Sequence, residues 1–164
     1  MTRMKDKPVP LDQADRRILA VLQKQGRLTN QQLADAVHLS AASCWRRVKS
    51  LEERGVIAGF AALLNRKRAG FGFCVFVHIT LARHVAVDVR AIEAALQARG
   101  EVLECYAMAG AADFLLRVVA RDIESYDRFL EEFVFALPGI GQVNSSIALR
   151  EIKFDCALPI AVND

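Results

Sequence analysis

The chain has 164 residues, of which 53% are hydrophobic and 25% charged, which is enough apolar content for one buried core or two small ones and excludes a disordered polyelectrolyte. No apolar run approaches the roughly 18 residues that cross a bilayer, and the polar start MTRMKDKPVP lacks the apolar core of a signal peptide, so a cytoplasmic protein without a membrane span is expected. The net charge of +3 conceals a division: residues 1–68 hold 14 Lys or Arg against 6 Asp or Glu, the remainder 8 against 13, so a basic half suited to a polyanion precedes a mildly acidic half that is not.

Residues 1–10 carry charges and two prolines, Pro8 and Pro10, without apolar periodicity, and read as a mobile leader able to touch phosphates. From Asp12, a plausible cap, Ala14, Ile18, Val21 and Leu22 recur at helical spacing until Gly26, which predicts a first helix. Thr29 and Gln32 then form a capping box for a short second helix with Leu33, Ala34 and Val37 on its apolar face. A turn through His38 and Leu39 leads to Ser40, which can cap a third helix ending at Gly55. On this helix Cys44, Val48 and Leu51 share one face, at about 100° per residue.

The remaining faces of the third helix carry Ala42, Ser43, Trp45, Arg46, Lys49 and Ser50, with Arg47 at the flank. Small side chains first and guanidinium groups a turn later suit a major groove, where Arg bonds guanine bidentately and Lys or Ser holds phosphates. Thr29, Asn30 and Ser40, at the starts of the second and third helices, complete this candidate DNA-binding set. Two capped helices at this spacing form a DNA-docking helix-turn-helix, the alternative being a solvated basic helix in an ordinary bundle.

The stretch VIAGFAALLN after Gly55 predicts a strand or small wing, and the basic run Asn65–Arg68 reads either as a phosphate contact or as a solvated connection. From Phe71 to Leu81 the odd positions are all apolar, as in a strand with one face wholly buried, while Cys74 and Phe76 on the other face point to cover by a second subunit. Ile92, Ala95 and Leu96 mark a helix before Gly100; Val102–Ala109 and Phe114–Ala120 read as a hairpin around AGAAD. Asp122 can cap a helix with the stripe Ile123, Tyr126, Leu130, Phe133, Val134 and Leu137, ended by Pro138-Gly139. A last strand is expected from Gln142 to Leu149, with a bulge or break suggested by the change of phase between Leu149 and Ile152.

The fold class is therefore α+β: a winged helix-turn-helix over 11–63, a linker over 64–70, and a βαββαβ ferredoxin-like domain over 71–164 with both helices on one face of an antiparallel sheet. Cys44, Cys74, Cys105 and Cys156 include no CxxC pair, and His38, His78 and His84 show no ligand spacing, so buried free thiols and no metal are expected. GxSxG, P-loop and HExxH patterns do not occur, and Gly70-Phe71-Gly72 lacks the third glycine of a dinucleotide fingerprint, which disfavours an enzyme.

The motifs LDQADRRIL, LSAASCWRRVKSLEERGVI, MAGAADFLLRV and LPGIGQVNSSIALREIK, in this order, resemble the Lrp/AsnC family of bacterial and archaeal regulators, and the resemblance covers nearly everything from Leu11 to Ile160. It implies transcriptional control in response to a small amino acid, dimers that often assemble into octamers, a nucleoid-associated cytoplasmic location, and no cofactor or enzymatic activity. It further implies that the turn carrying Gly110 and Asp113 lies at an effector pocket formed where dimers meet. Exposed amides beside a carboxylate can hold both charged ends of an amino acid, with Met108 or Tyr106 facing its side chain; a plain hairpin turn with a solvated Asp is the alternative. Family members frequently place an acidic and then an aromatic residue where this chain has Ala111 and Ala112. The Cys44-Trp45 pair and the MAG turn are similar to a branch that includes cysteine-responsive regulators. An architectural DNA-compacting protein without a ligand is the competing function.

Overall fold

The structure, a computed structural model, describes residues 7–82 and 87–161. The chain divides into two compact units, one running to Leu63 and rejoined from Lys153 onward, the other spanning Leu64–Ile152. Residues 1–6 of the expected leader, and His84, lie outside the described residues; positions 7–10 form no regular element.

In the first unit, α1 (Gln13–Lys24), α2 (Asn30–Ala36) and α3 (Ala41–Glu53) each begin at a side chain that satisfies an otherwise orphaned backbone donor. Asp12 caps α1, Ser40 caps α3, and Thr29 and Gln32 close the reciprocal capping box of α2. His38, at φ 57°, makes the sharp turn between α2 and α3, and Gly55, at φ 70°, follows the end of α3. Ile18, Leu19, Leu33, Ala34, Val37, Cys44 and Leu51 form the buried core, so the faces expected from helical periodicity do meet.

Two features of this unit differ from expectation. No strand forms in the stretch 56–65, which is broken at Gly59, and Phe60, Leu63 and Leu64 stand exposed. A strand needs a ladder partner, and none lies beside this stretch among the described residues. The second difference is that residues from Lys153 onward group with the helices, although the C-terminal domain was expected to run to 164. Gln23 clasps the backbone of Leu158 from both sides: its amide donates to the carbonyl at 3.2 Å and its oxygen accepts the N–H at 2.6 Å. Ile160 packs on the helical core, and Arg16 donates to the carbonyl of Ala161.

The second unit is the expected βαββαβ: β1 (Phe73–Leu81), α4 (Val89–Ala98), β2 (Val102–Ala107), β3 (Phe114–Ala120), α5 (Ile123–Phe129) and β4 (Ile140–Ile147). All neighbours are antiparallel and the order across the sheet is β2-β3-β1-β4. Val75, Val77 and Ile79 of β1 and Leu116 and Val118 of β3 are buried against Ile92 and Leu96 of α4 and Tyr126 and Phe129 of α5. Two details depart from the periodic pattern. Ile123 is exposed, and α5 continues into one π-helical turn over Leu130–Val134, which shifts the stripe so that Phe129 and Val134 are buried. Register shifts fall at the Thr80/Leu81 step opposite Gly141 and between Val102 and Glu104, whereas at Leu149 and Ile152, exposed and outside β4, no bulge forms and the strand pairing has already ended.

Cys44 and Cys74 are buried, as expected of structural thiols, whereas Cys105 is half-buried and Cys156 exposed. Burial pushes the Cys44 thiol above its ordinary pKa, and Cys105 rises through burial and the nearby Glu93 carboxylate, which makes both poor nucleophiles.

Candidate nucleic-acid interface and effector turn

The outer surface of α3 separates the tandem arginines. Because neighbours on a helix diverge by about 100°, Arg46 projects outward and makes no ion pair or hydrogen bond to the described residues, while Arg47 turns toward α1. The Arg47 guanidinium reaches Asp12 at 2.7 Å and Asp15 at 2.8 Å, and Arg54 approaches Asp15 at 3.5 Å and also donates to the carbonyl of Pro10. Asp15 is the buried charged residue of the described chain. A carboxylate there is tolerable because two guanidinium groups from α3 compensate it. The backbone N–H of Asp15 and then Arg47 hold the Asp12 carboxyl below its usual range, and the bonds to Asp12 and Asp15 raise Arg47 further.

Several candidate DNA-binding residues are engaged locally. Thr29 and Ser40 spend their hydroxyl acceptors on caps, and the Asn30 amide donates to the carbonyl of Ala41 at 2.9 Å, which joins the start of α2 to the start of α3. Asn30, Ser40, Ala42, Ser43, Trp45 and Arg46 line one concavity of about 700 Å3. Trp45 is 57% exposed, with the Lys49 ammonium 5.3 Å from its ring centroid. The structure thus brings Asn30, Ser40, Ala42, Ser43, Trp45, Arg46 and Lys49 to one surface and withdraws Arg47 into the scaffold beneath it.

In the second unit the turn after β2 is held by its own ends. The Met108 N–H donates to the Asp113 carbonyl at 2.9 Å, the Asp113 N–H to the Ile79 carbonyl at 2.9 Å, and the Leu81 N–H to the Asp113 Oδ2 at 2.7 Å. The Thr80 hydroxyl donates to the Ala111 carbonyl. Asp113 therefore supports the end of β1 where the bulge interrupts pairing, a structural duty that its place in a hairpin turn did not disclose. Among the described residues the N–H groups of Gly110, Ala111 and Ala112 donate to no protein acceptor, and the second oxygen of Asp113 receives no hydrogen bond. Tyr106 and Met108 are exposed nearby in sequence; the Tyr106 hydroxyl donates to Glu104, whose negative charge raises the phenol's pKa. Glu104 also pairs with Arg117 across the open face of the sheet at 2.5 Å.

Comparison with known proteins shows the same two-part organisation. Residues 11–58 match the model of the winged helix-turn-helix DNA-binding domain, and residues 74–158 match that of the Lrp/AsnC ligand binding domain. The chain belongs to the Lrp/AsnC family. The DNA-binding transcriptional activator DecR of Escherichia coli K12 is 39% identical over 150 residues, covering 92% of this chain and 99% of that protein. The leucine-responsive regulatory protein of Rhizobium meliloti is 36% identical over 152 residues, covering 93% and 97%. Among solved structures, a transcriptional regulator of Neisseria meningitidis in complex with L-Met is similar at a TM-score of 0.86 and 36% identity, over 92% of this chain and 97% of that one. As a Lrp/AsnC protein the chain is a DNA-binding transcriptional regulator with a ligand-binding domain, and the family is not enzymatic. No helix among the described residues is long and apolar enough to cross a membrane.

Five residues, Asp15, Arg54, Gln23, Glu104 and Arg117, gain a role only from the structure. Asp15 and Arg54 lie in motifs that sequence reasoning used without assigning them a task, and Asp15 carried a signal, being an acidic residue among the apolar positions Ala14, Ile18 and Leu19 of α1. Gln23 carried none, because Leu158 is distant in sequence, while the Glu104–Arg117 pair follows from the register of the β2–β3 hairpin, which the turn alone did not fix.

Proposed function

We propose that this regulator reads promoter DNA with α3 and that a free amino acid, bound between subunits at the Gly110–Asp113 turn, alters DNA affinity by changing assembly. Arg46 is the base-reading side chain and Lys49 and Ser43 are phosphate or base-edge contacts, while Arg47 serves by fixing α3 on α1. The effector reading rests on one observation: among the described residues the N–H groups of Gly110, Ala111 and Ala112 have no protein acceptor, and the next residue in the chain is Asp113, one of whose carboxylate oxygens accepts no hydrogen bond. That is the complement of a zwitterion, amides for its carboxylate and Asp113 for its ammonium group. The L-Met complex of the Neisseria meningitidis regulator agrees with a ligand of this class.

A homodimer through the open face of the sheet accounts for its apolar content. Phe76 and Tyr106 are 39% and 52% exposed on that face, beside half-buried Leu115. Two basic units would then meet half-sites spaced by whole helical turns of about 34–36 Å. A ligand shifts such an equilibrium only by its differential affinity for two states, and a pocket shared by subunits supplies that difference.

Calorimetry with individual amino acids on the wild type, Asp113→Asn and Asp113→Ala, paired with sedimentation, tests the reading. Asn can still accept from the Leu81 N–H but carries no charge, so ligand binding should be lost in both variants while β1 is disturbed only in Asp113→Ala. Unchanged binding by Asp113→Asn would place the ligand elsewhere.

A further inference from the structure

On the reading that α3 enters the major groove, we propose that Trp45, together with Ala42, recognises the 5-methyl group of a thymine and so makes one A·T pair of each half-site a specificity determinant.

The outward surface of α3 is polar or charged apart from these two residues. Trp45 is 57% exposed and Ala42 is exposed three positions earlier, so they lie one turn apart on the same face. An indole left in water on a folded domain retains most of its burial free energy for a partner. Its position is defined: the Lys49 ammonium sits 5.3 Å from the ring centroid, and Lys49 is itself within 3.9 Å of Glu53, a chain of contacts along one side of the helix. Ala42 and Trp45 share their concavity with Asn30, whose amide donates to the Ala41 carbonyl at 2.9 Å and so ties the start of α3 to α2.

The chemistry around the patch selects its partner. Arg46 and Lys49 flank the ring, in a half of the chain whose sequence carries net charge +8 over residues 1–68, so a polyanion is the partner that suits this patch. On duplex DNA the apolar group presented to the major groove is the thymine methyl, and it stands beside the thymine O4 acceptor. Indole matches both features, with an apolar face and a single N–H that can only donate. Ala42 leaves room for the base edge to approach, which a longer side chain at that position would fill.

Replacing thymine by deoxyuridine removes the methyl group and nothing else, which makes the test direct. A duplex operator selected from a random pool by the full-length protein is substituted at one thymine at a time, and affinity is measured by fluorescence anisotropy for the wild type, Trp45→Ala and Trp45→Phe. One thymine per half-site should lose about three- to fivefold in affinity on substitution, the scale of one buried methyl group. That penalty should vanish in Trp45→Ala and persist in reduced form in Trp45→Phe. Trp45 is also the single tryptophan of the chain, so its emission should shift on binding the thymine duplex and shift less with the deoxyuridine duplex. If no substitution matters, or if the penalty survives undiminished in Trp45→Ala, the methyl contact is refuted. Arg46→Ala still relaxing base preference in that case would leave the proposed function standing, whereas a wild type that selects no sequence would overturn both.

Discussion

The tandem arginines should separate stability from recognition. In Arg47→Ala the Asp15 side chain, 7% exposed, loses its 2.8 Å partner and keeps Arg54 at 3.5 Å. Breaking a fully buried ion pair costs roughly 3–5 kcal/mol. Here Arg47 is 31% exposed and Asp15 retains a second cation, so the expected loss is about 2 kcal/mol, near the range for a hydrogen bond to a charged group. Arg46→Ala removes a side chain with no partner among the described residues and should change stability by no more than about 0.5 kcal/mol. Its effect should fall on the selected operator, about 1–3 kcal/mol of affinity with relaxed preference at one base pair. Urea unfolding followed by circular dichroism reads the first quantity and anisotropy titration the second. A cycle of Arg47→Ala with Asp15→Asn should show coupling of at least about 0.5 kcal/mol. Equal stability losses at Arg46 and Arg47, or no coupling in the cycle, would refute the division between the two residues.

Other outcomes follow from the same contacts. Asp12 has a lowered carboxyl pKa in the folded state, so its contribution is complete above the unfolded value of about 4 and is lost as pH falls through the lower folded value. Urea midpoints of the helical unit should therefore decline on acidification below about pH 4, and less steeply in Asp12→Asn; identical slopes would contradict this. Gln23→Ala should free the C-terminal segment at a cost of about 1 kcal/mol, read as faster hydrogen exchange at the Leu158 amide, and unchanged protection there would count against the clasp. Phe76→Glu places a charge on the open sheet face and should shift sedimentation toward a monomer. A dimer of undiminished stability in that variant would move the interface elsewhere.

Local chemistry explains how much of the fold was legible. Asp12, Thr29, Ser40 and Asp122 act within three residues of themselves, so their capping bonds could be read from the sequence and all four form. The alternation of β1 likewise announces a buried face, and Val75, Val77 and Ile79 are fully buried. What escaped depends on partners far along the chain. Helical spacing set Arg47 at the flank of α3 and Arg46 on its outer surface, but that Asp12 and Asp15 of α1 would bind Arg47 was not written in that spacing. The apolar composition of 56–65 suggested a strand or small wing, and no strand forms there because composition does not supply the neighbour that a ladder requires. Asp113 was legible as a turn carboxylate, while its bond to the Leu81 N–H depends on the bulge that Gly141 introduces in the neighbouring strand.

Control of DNA binding by an amino acid is the property on which the proposed function turns. The most direct measurement is the dissociation constant of the full-length protein for its selected operator, with and without the amino acid that gives the largest thermal shift, with sedimentation performed in the same solutions. A change of at least about fivefold in affinity, accompanied by a change in assembly at the same ligand concentration, is the predicted result. Affinity and assembly unmoved by every amino acid would contradict that control and favour a ligand-independent architectural protein.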